Sequence, residues 1–203
     1  MRKKQFIILM NGFTATGKST VASKITKSLN CEIFHSAVVR RELGLSPSKK
    51  DADKFFDYRN KLRQNVDRKV YGEIAKKAEI ALKKGRCVIC DCGYFLKWQR
   101  KQIYKIAKKY DIPTYILRII CEDENEIKRR LIKRYNQFDD SPLHETPSWN
   151  TYLSTKEIYE NPINEYPPII EHSTLTNKLK IIKGNKRNKI TKIIVRALKS
   201  QKL

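Results

Sequence analysis

Short apolar runs alternate with amphipathic segments along most of this chain. Apolar runs bounded by polar or turn residues predict buried strands at 6–10, 31–34, 87–90, 114–121 and 179–182. Apolar residues at helical spacing predict helices at 18–29, 53–84 (with a break), 97–110, 123–135 and 188–199. Uninterrupted apolar strands that are separated by helices are typical of a parallel sheet covered on both faces. The pattern therefore predicts an α/β fold, with a central parallel sheet of about five strands flanked by helices.

The remaining long stretch, 136–174, lacks a clear period and contains five of the seven prolines. Irregular segments of this length are usually functional, so we expect a lid and substrate region at about 123–174. With 203 residues, the chain fits a single domain, 1–203. The apolar run 6–10 is too short for a signal peptide or a membrane span. Five cysteines, three of them within 87–92, argue against a disulfide framework, and we expect a cytoplasmic protein without membrane contact.

The net charge of +23, from 44 Lys and Arg against 21 Asp and Glu, is the unusual feature of the composition. Lysines spread over exposed faces for solubility would give such a charge, and so would a surface that binds a polyanion. The distribution favours the second interpretation. No acidic residue follows Glu171, whereas ten basic residues lie between Lys178 and Lys202, and 97–109 contains six basic residues and no acidic one. Clustering of positively charged residues predicts a polyanionic partner such as RNA.

A glycine-rich loop connects the first predicted strand to the first predicted helix. Its sequence, G-F-T-A-T-G-K-S at 12–19, matches the G-x-x-x-x-G-K-[ST] loop that binds nucleotide phosphates. The glycines let backbone N–H groups turn towards phosphate oxygens, Lys18 supplies charge for the β and γ phosphates, and Ser19 is a ligand for Mg²⁺. The loop therefore predicts ATP and Mg²⁺ as cofactors. The predicted nucleotide-binding residues are Gly12, Thr14, Ala15, Thr16, Gly17, Lys18, Ser19 and Thr20.

Four further patterns lie beyond this loop. The chain has S-A-V-V-R at 36–40, V-Y at 70–71, V-I-C-D at 88–91 followed by Arg100, and R-L-I-K-R at 130–134. Together with the loop, these patterns resemble the small P-loop kinases that include polynucleotide 5'-hydroxyl kinases and seryl-tRNA kinases. That family has S-D-x-x-R, V-Y, a third strand that ends in Asp with a nearby Arg, and R-L-x-x-R. The resemblance spans nearly the whole chain and implies the fold of the nucleoside-monophosphate kinases, with a closing lid.

Three of the matched side chains have both a functional and a purely structural interpretation. Asp91 closes a predicted parallel strand, where carboxylates face the ligand crevice, so it would hold Mg²⁺ through water or orient the acceptor. Capping of the next helix is the alternative for Asp91. Arg130 and Arg134 lie one helical turn apart, and on a lid they would neutralise charge on the transferred phosphoryl group. A solvated face is the alternative in so basic a helix.

The acceptor site departs from the family pattern at one position. By resemblance, Ser36, Arg40 and Arg100 would build this site, and an Asp at position 37 would accept the proton of the acceptor hydroxyl. The chain has Ala37 there, and a methyl group accepts no proton. Three explanations stay open: an introduced Asp to Ala substitution, a natural pseudoenzyme that binds ATP, or a kinase whose base is Asp91 or another group. Retention of the other site elements favours the first explanation.

The sequence predicts an ATP-dependent kinase that transfers the γ-phosphoryl group to a hydroxyl of RNA, such as a tRNA or a 5'-hydroxyl end. RNA is predicted as the acceptor because of the distribution of positive charge. One alternative is a kinase for a small metabolite or antibiotic, with an incidental basic surface. Another is an ATP-gated nucleic-acid-binding module, which Ala37 makes reasonable. The sequence does not predict the oligomeric state.

Overall fold

The computed structural model describes residues 5–48, 50–136 and 148–200. Within these ranges the strands are β1 (Ile7–Asn11), β2 (Cys31–His35), β3 (Cys87–Asp91), β4 (Thr114–Ile120), β5 (Ile169–Ser173) and β6 (Leu179–Lys183). The helices are α1 (Lys18–Leu29), α2 (Ser36–Glu42), α3 (Ala52–Phe56), α4 (Lys61–Lys83), α5 (Lys97–Lys109), α6 (Glu124–Asn136), α7 (Trp149–Glu157) and α8 (Lys189–Lys199). None of the helices in these ranges combines the length and the apolarity needed to cross a bilayer.

The strands form one sheet in the order β2-β3-β1-β4-β5-β6. The first five strands of this order are parallel, and β6 pairs antiparallel with β5 at the edge. The predicted α/β fold with a mostly parallel sheet is confirmed, with six strands in the described residues in place of about five. The carboxyl ends of β1 to β4 meet along one edge of the sheet, and ligands bind at that edge in open α/β sheets.

The sequence pattern missed β5, which lies inside the stretch predicted to be irregular. This strand begins with two isoleucines but ends in polar residues that are buried because they have partners. Glu171 accepts a hydrogen bond from Arg118 Nε (2.7 Å), and Ser173 donates to Glu122 (2.7 Å). The irregular part of the predicted lid region therefore ends before Ile169, and its residues 137–147 lie outside the described ranges.

Helices cover both faces of the sheet because the side chains of each strand alternate between the faces. On β1, Ile7 and Leu9 pack in the layer that contains α4 and α5, whereas Ile8 and Met10 pack in the layer that contains α1 and α8. All four of these side chains are fully buried. The five cysteines are free thiols, so the core is held by apolar packing without disulfides.

The predicted break in the helical stretch 53–84 is present and is short. α3 ends at Phe56, and α4 begins at Lys61 after Asn60, whose side-chain oxygen accepts a hydrogen bond from the N–H of Leu62 (2.9 Å). Such a side-chain cap satisfies one of the backbone donors that a helix start leaves without a partner. The short helices α2 and α7 were not predicted, because each is too short to show a clear apolar period.

A buried ion pair fixes the segment that precedes β5 against α5. The Arg100 side chain is fully buried, and its Nε and Nη2 donate to the Glu165 carboxylate at 2.6 to 3.1 Å. Its Nη1 and Nη2 also donate to the carbonyl oxygens of Tyr94 (2.6 Å) and Glu160 (2.8 Å). The Tyr104 hydroxyl donates to the same carboxylate (2.7 Å). Every nitrogen of the Arg100 guanidinium therefore has a partner within the fold.

We expect Arg100→Ala to lower the free energy of unfolding by about 3 to 5 kcal/mol, because it leaves the Glu165 carboxylate without its buried partner. Urea denaturation followed by circular dichroism measures this change. Lys101→Ala is the matched control: its side chain is exposed, and the variant should stay within about 0.5 kcal/mol of the wild type. An Arg100→Ala variant as stable as that control would contradict the structural role.

Candidate active site

The predicted phosphate loop follows β1 at the carboxyl edge of the sheet. Gly12 has φ +144°, and a Cβ there would collide with the carbonyl oxygen of Ile119 at the end of β4. Gly17 is the N-cap of α1 with φ +94°, in the left-handed region that favours glycine. No side chain caps α1, and its first turn contains no acidic residue. The N–H groups of this helix end therefore remain available to an anion, as phosphate binding requires.

Lys18 lies half-buried in this loop. Its Nζ donates a hydrogen bond to the carbonyl oxygen of Phe13 (2.6 Å). Burial lowers the pKa of Lys18 to about 8; Asp91 opposes this shift and Arg134 adds to it. A substantial fraction of the amine is therefore neutral above pH 8 when no nucleotide is bound. Because a bound phosphate stabilises the charged amine, nucleotide binding is linked to proton uptake at this side chain.

Asp91 ends β3 directly opposite His35, the last residue of β2. The two side chains share a hydrogen bond of 2.7 Å between His35 Nδ1 and Asp91 Oδ2. The other carboxylate oxygen, Oδ1, is buried and has no hydrogen-bond partner in the described part of the chain. A water molecule in the shell of an ATP-bound Mg²⁺ would satisfy this oxygen, and the Ser19 hydroxyl supplies a second oxygen ligand in the same pocket. These two side chains fit the predicted metal.

The loop and the strand ends open into one cavity of about 130 Å³. Of the eight predicted nucleotide-binding residues, the two that do not line this cavity are Gly12 and Thr16, which shape the loop from behind. Ser36 and Ala37, at the start of α2, line the cavity together with Asp91. Among the described lining residues, Asp91 is the only carboxylate, so no other acidic side chain replaces the base that Ala37 lacks.

The two arginines predicted for the lid reach the site from α6. Arg134 is half-buried in the cavity wall, and burial lowers its pKa, with Asp91 opposing the shift. Arg130 donates from Nη1 to the carbonyl oxygen of Ala15 (3.2 Å) and to the Thr174 hydroxyl (3.1 Å). Its Nε also bonds Glu126 (2.7 Å). The structure therefore brings Arg134 to the ligand space and ties Arg130 to the backbone of the phosphate loop.

The two arginines predicted for the acceptor site lie outside the cavity lining. Arg40 is buried behind it, with Nη2 at 3.4 Å from Asp67 Oδ1 and its guanidinium 5.6 Å from the centre of the Phe56 ring. Arg100 is engaged by Glu165 and by backbone carbonyls, as described above. Its predicted contact with an acceptor stays a prediction, and its position favours a structural role.

The far wall of the cavity contains residues that the sequence reasoning did not select. They come from the α3–α4 region, the loop after β3 and α7, and are Phe56, Tyr58, Arg63, Tyr71, Phe95, Thr151 and Thr155. The signal in the sequence was the break in the helical stretch 53–84, since Phe56 ends α3 and Tyr58 lies between α3 and α4. α7 falls in the predicted substrate region, and its Thr151 and Thr155 line the cavity, while the substrate role of this region stays a prediction.

Comparison with known proteins finds similarity in sequence and in fold. A probable 6-phosphofructo-2-kinase of Schizosaccharomyces pombe is 31% identical over 132 residues, which is 60% of this chain but only 22% of that protein. Kti12 of Chaetomium thermophilum, solved with ADP-AlF3, has a TM-score of 0.62 at 16% identity and covers 96% of each chain. A sugar kinase from a Janibacter species has a TM-score of 0.57 at 15% identity and covers 97% of this chain and 94% of its own.

The two structural likenesses confirm the P-loop kinase-like fold. They do not test the narrower resemblance to polynucleotide and seryl-tRNA kinases, which stays a prediction. The model of the family described as AAA domain matches residues 7–155, a span that begins with β1 and includes the phosphate loop, Asp91 and the lid arginines. Because this match covers more than half of the chain, the protein belongs to the AAA domain family, with a P-loop kinase-like fold.

Proposed function

We propose that this protein transfers the γ-phosphoryl group of ATP to a hydroxyl group of a small molecule. The observation that carries this proposal is the shared cavity: Lys18, Asp91 and Arg134 line one side of it, and an aromatic wall closes the other. A site of this shape encloses a small acceptor next to the phosphate loop. A volume of about 130 Å³ suits a small acceptor group better than a length of polynucleotide.

The relatives support a small acceptor. The similar Schizosaccharomyces pombe protein is named as a kinase of a phosphorylated sugar, and one structural neighbour is a sugar kinase. Since the chain spans about a fifth of the first protein and shares only the fold with the second, these names indicate a class of acceptor and no particular compound. This proposal therefore adopts the small-molecule alternative in preference to RNA as the acceptor.

Positioning and charge account for most of the catalysis of phosphoryl transfer. Lys18 and Arg134 both face the cavity and would neutralise charge on the phosphates during transfer. Mg²⁺ bound with ATP would supply further positive charge, held by the Ser19 hydroxyl and through water by Asp91. Asp91 is also the remaining carboxylate that can orient an attacking hydroxyl, since His35 holds only its Oδ2.

The phosphate site is tested with Lys18→Ala, which we expect to weaken binding of ATP with Mg²⁺ by about 2 to 4 kcal/mol. The substitution removes a charge-assisted bond to the β and γ phosphates and no core atom. Isothermal titration calorimetry measures the affinity. Lys27→Ala, an exposed change in the last turn of the same helix, should bind ATP like the wild type. Unchanged affinity in a folded Lys18→Ala variant would refute the assignment of the phosphate site.

The catalytic proposal is tested at position 37. We expect Ala37→Asp to raise phosphoryl transfer at least about tenfold with little change in ATP affinity, because a carboxylate there can accept the proton of the attacking hydroxyl. Turnover is measured with labelled ATP against small alcohols, sugars and their phosphorylated derivatives. Ala37→Asn is the control of matched shape, and it should show no gain. A folded Ala37→Asp variant that binds ATP and transfers no faster would show that position 37 does not adjoin the acceptor hydroxyl.

RNA remains a second candidate partner, favoured by one surface feature. Lys101, Lys105 and Lys108 lie on one exposed face of α5 and have no acidic partner among the described residues. Beside them the rings of Tyr104 and Tyr166 pack edge to face at 4.9 Å, and Tyr166 is 61% exposed. Exposed cations next to an aromatic ring are the combination that binds single-stranded nucleic acid.

If RNA binds this surface, the affinity for a single-stranded oligonucleotide should fall by roughly 10³ between about 50 and 200 mM salt. The triple variant Lys101→Ala, Lys105→Ala, Lys108→Ala should reduce the slope of log K against log salt by about two to three units. Fluorescence anisotropy measures both quantities, with Lys27→Ala as control. Salt-independent binding, or no binding at the lowest salt, would exclude this partner.

A further inference from the structure

The carboxyl ends of β2 and β3 place an imidazole beside a carboxylate in the wall of the cavity. His35 and Asp91 lie opposite each other in the parallel register of these strands, and His35 Nδ1 is 2.7 Å from Asp91 Oδ2. Both residues line the cavity together with Ala37. The Asp91 side chain is 2% exposed and that of His35 is 15% exposed. The pair is therefore held within the site while part of the imidazole stays accessible.

The contact with Asp91 determines which ring nitrogen of His35 carries the proton. Lys18 and Arg134 face the same cavity and both interact with the negative charge of Asp91. A charged carboxylate only accepts hydrogen bonds, so Nδ1 of the neutral imidazole is the donor. The other nitrogen, Nε2, is then unprotonated and carries a lone pair. Nε2 points away from Asp91, and no group in the described residues forms a hydrogen bond with it.

An imidazole that a carboxylate holds in one tautomer is a well-suited proton acceptor. In serine hydrolases the carboxylate orients the imidazole and stabilises the imidazolium that forms when a hydroxyl loses its proton. The same arrangement occurs on unrelated folds, because it depends on the geometry of the two side chains and not on the surrounding chain. His35 and Asp91 therefore supply the kind of group that a methyl at position 37 lacks.

The place of His35 in the sheet fits a role at the acceptor. β3 borders β1, and β2 lies beyond β3, so the end of β2 is about 10 Å from the strand that leads into the phosphate loop. An attacking hydroxyl lies in line with the bond that breaks, on the side of the γ-phosphoryl group opposite ADP. Its base must lie beyond the loop, as His35 does. The methyl group of Ala37, two residues further, leaves room for an acceptor beside the imidazole.

We propose that His35 Nε2 is the general base of this kinase and that Asp91 orients the imidazole through Nδ1. This inference rests on the proposed kinase function and assigns the proton acceptor of that reaction. The acceptor oxygen forms a bond to the γ-phosphorus of ATP, the bond from that phosphorus to the β–γ bridging oxygen breaks, and ADP leaves with the electron pair. His35 Nε2 takes the hydroxyl proton, and the resulting imidazolium passes it to solvent after the phosphorylated alcohol has left.

The first test separates a base from a residue that only holds Asp91 in place. In His35→Asn the side-chain amide can replace the Nδ1–H donor to Asp91, but nothing replaces Nε2. We expect this variant to bind ATP like the wild type and to lower kcat at least about 100-fold with little change in KM. Labelled ATP is used with glycerol, with glucose and with water alone, since hydrolysis requires no particular acceptor.

The control for this test is Glu32→Gln, a change of matched shape on the same strand. Glu32 lies 3.7 Å from Arg86 and does not line the cavity, so its variant should transfer phosphate like the wild type. Wild-type rates in a folded His35→Asn protein would overturn the proposal, because a residue that only positions Asp91 would be replaced by the amide.

The second test uses position 37. The carboxylate of Ala37→Asp can take the same proton, so His35→Asn should slow that variant less than about fivefold. An equal loss on both backgrounds would show that His35 does not act in proton transfer. Transfer by Ala37→Asp with none by the wild type would overturn the role of His35 and leave the kinase function standing. If neither protein phosphorylates an alcohol, the kinase proposal fails for these acceptors, and the hydrolysis rates still decide the role of His35.

The third test needs neither turnover nor a substitution that folds. Nitrogen NMR of isotope-labelled wild-type protein in slightly alkaline buffer should show a protonated Nδ1 and an unprotonated Nε2 for His35. The same tautomer should persist with Mg²⁺ and a non-hydrolysable ATP analogue bound. A neutral His35 ring with its proton on Nε2 would overturn the proposal, because that nitrogen would then have no lone pair for the acceptor's proton.

Discussion

The seating of the phosphate loop against the ends of β4 and β5 is the contact on which the rest of the site depends. Thr174 follows β5, and its hydroxyl donates to the carbonyl oxygen of Thr16 (2.8 Å) and accepts from Arg130 Nη1 (3.1 Å). Its backbone N–H bonds the carbonyl oxygen of Ile120 (2.9 Å). One residue therefore joins the loop, two strands and the lid helix. Gly12 permits this arrangement because any side chain there would collide with β4.

Three cations and one carboxylate, Asp91, line the cavity in the described residues. Lys18 and Arg134 adjoin the phosphate loop, Arg63 adjoins the far wall, and Asp91 lies on the loop side, where it opposes the shifts of both neighbouring cations. ATP accounts for the cations beside the loop. In the far wall, the buried Asp67 carboxylate lies 3.1 Å from Arg63 Nε and provides the opposite charge for this arginine.

The parts of this site that sequence reasoning predicted are those fixed by local geometry. The loop motif predicts its own backbone path, because only glycine fits at positions 12 and 17, and Asp91 follows from the rule that strand ends face the ligand. Arg63 was missed because a charged residue in a helix normally faces solvent, and its burial depends on contacts between α3, α4 and the sheet. For Arg100 the opposite occurred. A motif match selected this residue for the acceptor site, but its contacts are determined by Glu165, which lies 65 residues away in the sequence.

The meaning of Ala37 can be judged from the free-energy cost of the polar groups that surround it. A module that only binds ATP needs the loop and Lys18, but gains nothing from a buried Arg63 or from an Asp91 oxygen that has no partner among the described residues. Both features carry a free-energy cost that function at the acceptor end of the cavity would justify. The Ala37 methyl removes a proton acceptor while leaving these groups in place. The proposed phosphoryl transfer therefore accounts for these groups, whereas ATP binding alone does not.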